Sequence, residues 1–105
     1  MDTQPLHILI VDDEQIVHDT LGAFVKEFGH QVHHIHDGVT GLEEIGQTDF
    51  DLAIFDVRMP GMDGLSLLAE TRKIRPQLPV ILLTGHGDPE LGEKAQELGA
   101  LAFMI

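Results

Sequence analysis

Apolar and polar positions fall in blocks along this chain, with runs of strand length giving way to helical stripes and back again. Leu6–Val11 is a nearly continuous apolar run, cut off by Asp12 and Asp13. Over Gln15–Phe28, Ile16, Val17, Leu21, Phe24, Val25 and Phe28 recur at helical spacing, and Gly29 supplies a C-terminal stop. Gln31–Ile35 is a short, polar strand candidate; Val39, Leu42 and Ile45 mark a short helix before Gly46. Asp51–Phe55 predicts a third strand, ending in Asp56. The Met59–Gly64 segment is dense in turn residues, and Asp63 is suited to cap a helix that carries Leu65, Leu68 and Ala69. Pro79–Leu83 predicts a fourth strand, closed by Thr84 and a Gly85-His86-Gly87 loop. Asp88, Pro89 and Glu90 then open a helix with Leu91, Ala95 and Leu98 on one stripe and Gly99 at its end. Leu101–Ile105 reads as a fifth strand.

Strands separated by helices from end to end predict an α/β fold with a parallel sheet and right-handed crossovers. Strands one, three, four and five are apolar throughout, as strands covered on both faces are, whereas the polar Gln31–Ile35 strand belongs at an edge. At 105 residues the chain is the size of one domain.

Composition and charge change this picture in three respects. There is no cysteine, hence no disulfide framework and no thiolate metal site. No apolar run reaches the length of a membrane span, and Met1–Pro5 is too polar for a signal peptide, so the expected location is the cytoplasm. Six basic residues against 18 acidic ones give a formal charge of −12, which argues against this segment gripping a nucleic-acid backbone and suits a divalent-cation site.

The acids matter through their placement. In an open parallel sheet, ligands bind beyond the carboxyl ends of the strands, where strand order reverses. Asp12 and Asp13, Asp56 and Thr84 all stand at such ends. Two carboxylates ~4 Å apart at an effective dielectric of ~20 repel by roughly 4 kcal/mol, so one keeps a proton or a cation sits between them. All-oxygen ligation suits Mg2+, which readily shares itself with a phosphate. The parts are those of metal-assisted phosphoryl transfer to a carboxylate.

With these residues in register, the chain from Leu6 to Ile105 resembles the receiver domains of two-component response regulators. Asp12 and Asp13 match the acidic pair after strand one, Asp56 the phosphoacceptor, Met59-Pro60-Gly61-Met62-Asp63-Gly64 the family's loop, Thr84 the switch hydroxyl and Phe103 the switch aromatic. The resemblance implies a flavodoxin-like doubly wound sheet of order 2-1-3-4-5. It also implies a phosphorylation switch in which Asp56 takes a phosphoryl group from the phosphohistidine of a sensor histidine kinase or a phosphotransfer protein. By the same likeness Asp13, Asp56 and the backbone carbonyl of Arg58 bind Mg2+ and Asp12 acts through a water. Arg58 and His86 flank the phosphate and are candidates for tuning its lifetime. In this role the domain is no enzyme in the ordinary sense, though it assists its own phosphorylation and dephosphorylation.

One departure stands out. The family's lysine, three positions beyond the switch aromatic, would fall at 106, one past Ile105, and the family's fifth helix is missing too. The expectation is a receiver domain over residues 1–105, truncated after strand five, with an output domain possible beyond. A chain ending there is expected to be marginally stable or covered by a second copy.

Other signals carry less. His33, His34 and His36 invite a transition-metal reading, with His34 and His36 on one face, but an exposed edge strand tolerates such polar side chains. Gly85-His86-Gly87 begins like a dinucleotide loop, yet Glu90 stands where a third glycine belongs. The rival function is a haloacid-dehalogenase-type Mg2+-dependent phosphohydrolase modified on Asp12, although that family's Asp-x-Asp pattern is replaced here by Asp12-Asp13-Glu14. A third is a partner-binding receiver that is never phosphorylated.

Overall fold

The structure, a computed structural model, describes residues 4–85 and 89–105. Strands and helices alternate as β1 (His7–Val11), α1 (Gln15–Glu27), β2 (Gln31–Ile35), α2 (Gly38–Gln47), β3 (Leu52–Asp56), α3 (Gly64–Ile74), β4 (Val80–Leu83), α4 (Pro89–Glu97) and β5 (Ala102–Met104). All pairings are parallel and the sheet order is β2-β1-β3-β4-β5, so the polar strand does lie at an edge.

The chain winds one way from β1 to β2 and the other way from β2 onward, which puts α1 on one face and α2, α3 and α4 on the other. The larger core lies on the three-helix face. There Leu9, Val11, Ala53, Phe55, Val80 and Leu82 of the sheet meet Ile45 of α2, Leu67 and Leu68 of α3, and Ala95 of α4. On the opposite face Ile8, Ile10 and Ile54 pack against Val25 of α1, with Leu21 partly buried beside them. The alternation of faces along each strand follows from the two-residue repeat of the pleat.

The expected complete coverage holds for β1 and for the body of β3 but not for β4 and β5. Ile81 and Leu83 are only half-buried, and Met104 is 53% exposed, because on that face α1 covers β1 and its neighbours more than β4 and β5. The stripe read for α1 also needs correction. Ile16, Phe24 and Phe28 are exposed, while His18, Gly22 and Val25 form the buried line. Sequence spacing alone placed the apolar side chains on the inner face, but against β2 that face carries His18, bonded to His34, and Gly22, which leaves room for the His34 ring.

Helix ends follow local chemistry. Asp37 and Asp63 cap α2 and α3 by accepting from Thr40 N and Ser66 N at 2.8 Å. Gly29 and Gly99 end α1 and α4 with positive φ. The expected cap at Asp88 lies outside the described residues. Arg72 ties α3 to the turn after α4, its guanidinium donating to the carbonyls of Leu78, Leu98 and Gly99.

Candidate functional site

The carboxyl ends of β1 and β3 bring three acids together. Oxygens of Asp12, Asp13 and Asp56 lie within 4.8 Å of one another, and among the described residues no other three His, Asp or Glu side chains bring their ligand atoms together this closely. The donors are all carboxylate oxygens, a set that fits a hard, oxygen-seeking divalent cation and fits poorly a soft metal. A cleft of about 430 Å³ opens beside them, lined by Asp12, Asp56, Arg58, Thr84 and Met104 among others.

Asp12 is held firmly. It is 4% exposed, its N–H donates to the Ile35 carbonyl at 3.1 Å, and its Oδ1 accepts from Glu14 N at 2.8 Å. Neither Asp12 nor Asp13 caps α1, whose N-cap is Glu14 with no side-chain bond. Asp13 is exposed and points its carboxylate into the trio. Asp56 is the last residue of β3 and half-buried; its Oδ1 takes a long contact, 3.4 Å, from Arg58 N.

The electrostatics follow from this crowding. Burial first, and then the negative charge of Asp12, push the Asp56 carboxyl from 3.8 to about 6, with Asp13 and Glu14 adding to the rise and the Arg58 N–H opposing it. Burial likewise raises Asp12, against the hydrogen bond from Glu14. A cation among the three oxygens would relieve both.

Thr84 ends β4 beside the acids. It is 4% exposed, and its N–H donates to the Met104 carbonyl at 3.0 Å, so it is not a loop hydroxyl turned to solvent. Phe103 is partly buried on the three-helix face, against the larger core and close to Gly92 of α4. Arg58 is exposed at the mouth of the cleft, and His86 lies outside the described residues.

The histidines correct the sequence reading. His33 turns to the α2 face, 3.7 Å from the Glu44 carboxylate. His34 and His36 turn to α1 and meet His18, a residue that apolar periodicity passed over. His18 is 2% exposed, with Nδ1 2.7 Å from His34 Nδ1 and Nε2 2.8 Å from the Asp12 carbonyl, while the His36 ring packs 4.2 Å from its own. Its position on α1, one turn after the acid pair, was the available signal.

Comparison with known proteins agrees with this geometry. The family model described as response regulator receiver domain matches residues 8–105. The transcriptional regulatory protein GlrR of Escherichia coli is 36% identical over 99% of this chain and 23% of that protein. The transcriptional regulatory protein FixJ of Bradyrhizobium diazoefficiens is 34% identical over 93% of this chain and 48% of that protein. The chain therefore spans about a quarter to a half of such relatives. Among solved structures, a CheY-like receiver domain protein from Methanospirillum hungatei superposes with a TM-score of 0.91 at 32% identity, covering 96% of this chain and 81% of that one. The structure of FixJ-N gives a TM-score of 0.87 at 29% identity, over 97% and 82%.

Proposed function

The chain belongs to the response regulator receiver domain family, and on that premise we propose that it is a phosphorylation switch whose phosphoacceptor is Asp56. The observation that carries this reading is the meeting of Asp12, Asp13 and Asp56 at the strand ends, with Thr84 on the same cleft. The donor is the phosphohistidine of a sensor histidine kinase or phosphotransfer protein in the cytoplasm. An output domain elsewhere in the same protein reads the result. The receiver unit extends over the whole of residues 1–105.

Asp13, Asp56 and the Arg58 carbonyl would hold Mg2+, with Asp12 in the outer shell. Bound there, the ion supplies positive charge against the oxygens of the incoming phosphoryl group. Asp56 does the bonding: a carboxylate oxygen attacks phosphorus, the bond from phosphorus to the donor imidazole nitrogen breaks, and that nitrogen keeps the electron pair and takes a proton. The result is an acyl phosphate on β3. Thr84, on the same cleft, would offer its hydroxyl to a phosphoryl oxygen, and Phe103 would follow from β5. Arg58, at the cleft mouth, tunes access of water to the product, with His86 in the same role.

The same features weigh against the rival modification of Asp12. Asp12 is 4% exposed and one of its oxygens is engaged by Glu14, whereas Asp56, on the same cleft, is only half-buried.

The test is chemical labelling. The intact protein, given Mg2+ and acetyl phosphate, gains one phosphoryl group, and mass spectrometry after borohydride reduction finds it on Asp56. Label on another aspartate, or an undiminished yield in Asp56→Asn, overturns the proposal.

A further inference from the structure

We propose that His18 is a positioning residue for the acid pair, fixing the Asp12 carbonyl and through it the direction in which Asp13 enters the cation site. The inference rests on the reading of that site given above and adds a residue to it.

His18 Nε2 lies 2.8 Å from the Asp12 carbonyl oxygen. A carbonyl can only accept, so Nε2 carries the proton. A neutral His18 ring then presents Nδ1 as an acceptor. The group 2.7 Å from it, His34 Nδ1, must be the donor. The pair thus has one neutral arrangement of protons, running from β2 through α1 to the end of β1. The His36 ring lies over His18 and is itself tied to α1, its Nε2 2.8 Å from Gln15 Oε1.

Two observations mark this relay as built into the fold. Gly22 leaves the space that His34 occupies: a Cβ at that position would come 2.6 Å from His34 Cε1. Asp12 is also engaged at its N–H by Ile35 and at Oδ1 by Glu14, so the bond from His18 holds the remaining backbone polar group of that residue. The peptide that His18 holds joins Asp12 to Asp13. Letting its carbonyl rotate would reorient the Asp13 N–H and draw the Asp13 carboxylate out of the trio. Groups that orient metal ligands from outside the shell are commonly worth 10- to 100-fold in metal affinity.

The test compares His18→Leu, His18→Gln and Gly22→Ala in the intact protein, by Mg2+ titration of the amide signals of residues 12–14 and 56–58. His18→Leu weakens Mg2+ about tenfold. His18→Gln, whose amide nitrogen can donate to the same carbonyl, stays within about threefold of the parent. Gly22→Ala, which dislodges His34 while placing a better helix former in α1, weakens Mg2+ in the same direction and carries the test where His18→Leu fails to fold. Parent affinity in His18→Leu or in Gly22→Ala overturns the inference, as does an equal loss in His18→Gln and His18→Leu. A metal-free arm separates this result from the identity of the site. Imidazole nitrogen shifts report the Nε2-protonated ring of His18, and the Asp13 amide moves in His18→Leu. A His18 ring protonated at Nδ1 alone, or an unmoved Asp13 amide, overturns the inference. A parent protein that takes no Mg2+ at these residues overturns the proposed site instead.

Discussion

Asp56 sits in a place that is unfavourable for a carboxylate and that suits the phosphoacceptor role proposed for it. Its folded-state value of about 6 lies above the 3.8 of an unstrained aspartate. Between those two pH values the folded chain holds a proton that the unfolded chain has lost, so stability falls as pH rises through that window and stays low above it. Asp56→Asn removes the charge. The variant is expected to unfold at higher denaturant concentration than the parent at pH 8 without divalent cations, by on the order of 1–2 kcal/mol once solvent screening of a half-exposed group is allowed for. At pH 4, close to the unfolded value of 3.8, most of the gap should have closed. Urea titrations at both pH values check this, and a gap at pH 4 as large as at pH 8 would place the effect in packing instead. Acetyl phosphate labelling at limiting Mg2+ should also slow below pH 6, where the nucleophile is protonated. Asp12, Asp13, Asp56 and Thr84 were all legible as residues, because acids at strand ends announce themselves. His18 was not: a histidine inside an apolar stripe looks exposed until β2 is known to bring His34 against it.

Between residue and fold stand the elements, and here close packing of backbone decides more than periodicity. Gly64 begins α3 directly above the end of β3, its N–H donating to the Val57 carbonyl at 2.9 Å. A Cβ there would overlap the Asp56 carbonyl and come 2.9 Å from Val57 Cα, both rigid backbone atoms. Gly64→Ala is therefore expected to destabilise the protein by roughly 2–3 kcal/mol, in spite of alanine's better helix propensity, and to disturb the amide signals of residues 56–58. A urea midpoint equal to that of the parent at unchanged slope would show that the loop yields without cost. The sequence made the turn visible through Pro60, Gly61 and Asp63, but whether Gly64 was needed for a turn or for contact with β3 depends on a neighbour remote in sequence. The same blindness produced the wrong inner face of α1. Apolar spacing predicts a helix correctly and still leaves Phe24 and Phe28 outside, where they pack on each other with ring centroids 5.0 Å apart.

For the molecule as a whole, a parallel sheet with its polar strand at an edge was readable from the alternation of strands and helices, whereas the full strand order came from the family resemblance. Coverage of the sheet was not readable, since it depends on how far one helix reaches across a face. Charge acts at this scale too. With 18 acidic residues against six basic ones, any salt should steady the fold by screening, and the acid trio should add a component that screening cannot imitate. Mg2+ that binds the folded chain alone stabilises it by RT ln(1 + [Mg2+]/Kd), about 1.4 kcal/mol at ten times Kd. For a domain of this size that is roughly 5–10 °C in Tm. Thermal unfolding is thus expected to rise by this amount in MgCl2 over NaCl of matched ionic strength at pH 7.5. Asp13→Ala should abolish the excess while leaving the rise in NaCl intact, because it removes a carboxylate ligand and only one charge of many. The excess should also shrink as pH falls below 6, where a proton competes with the cation at Asp56. Equal melting curves in the two salts, or an excess that survives Asp13→Ala, would mean that the acids serve general charge and not a cation site.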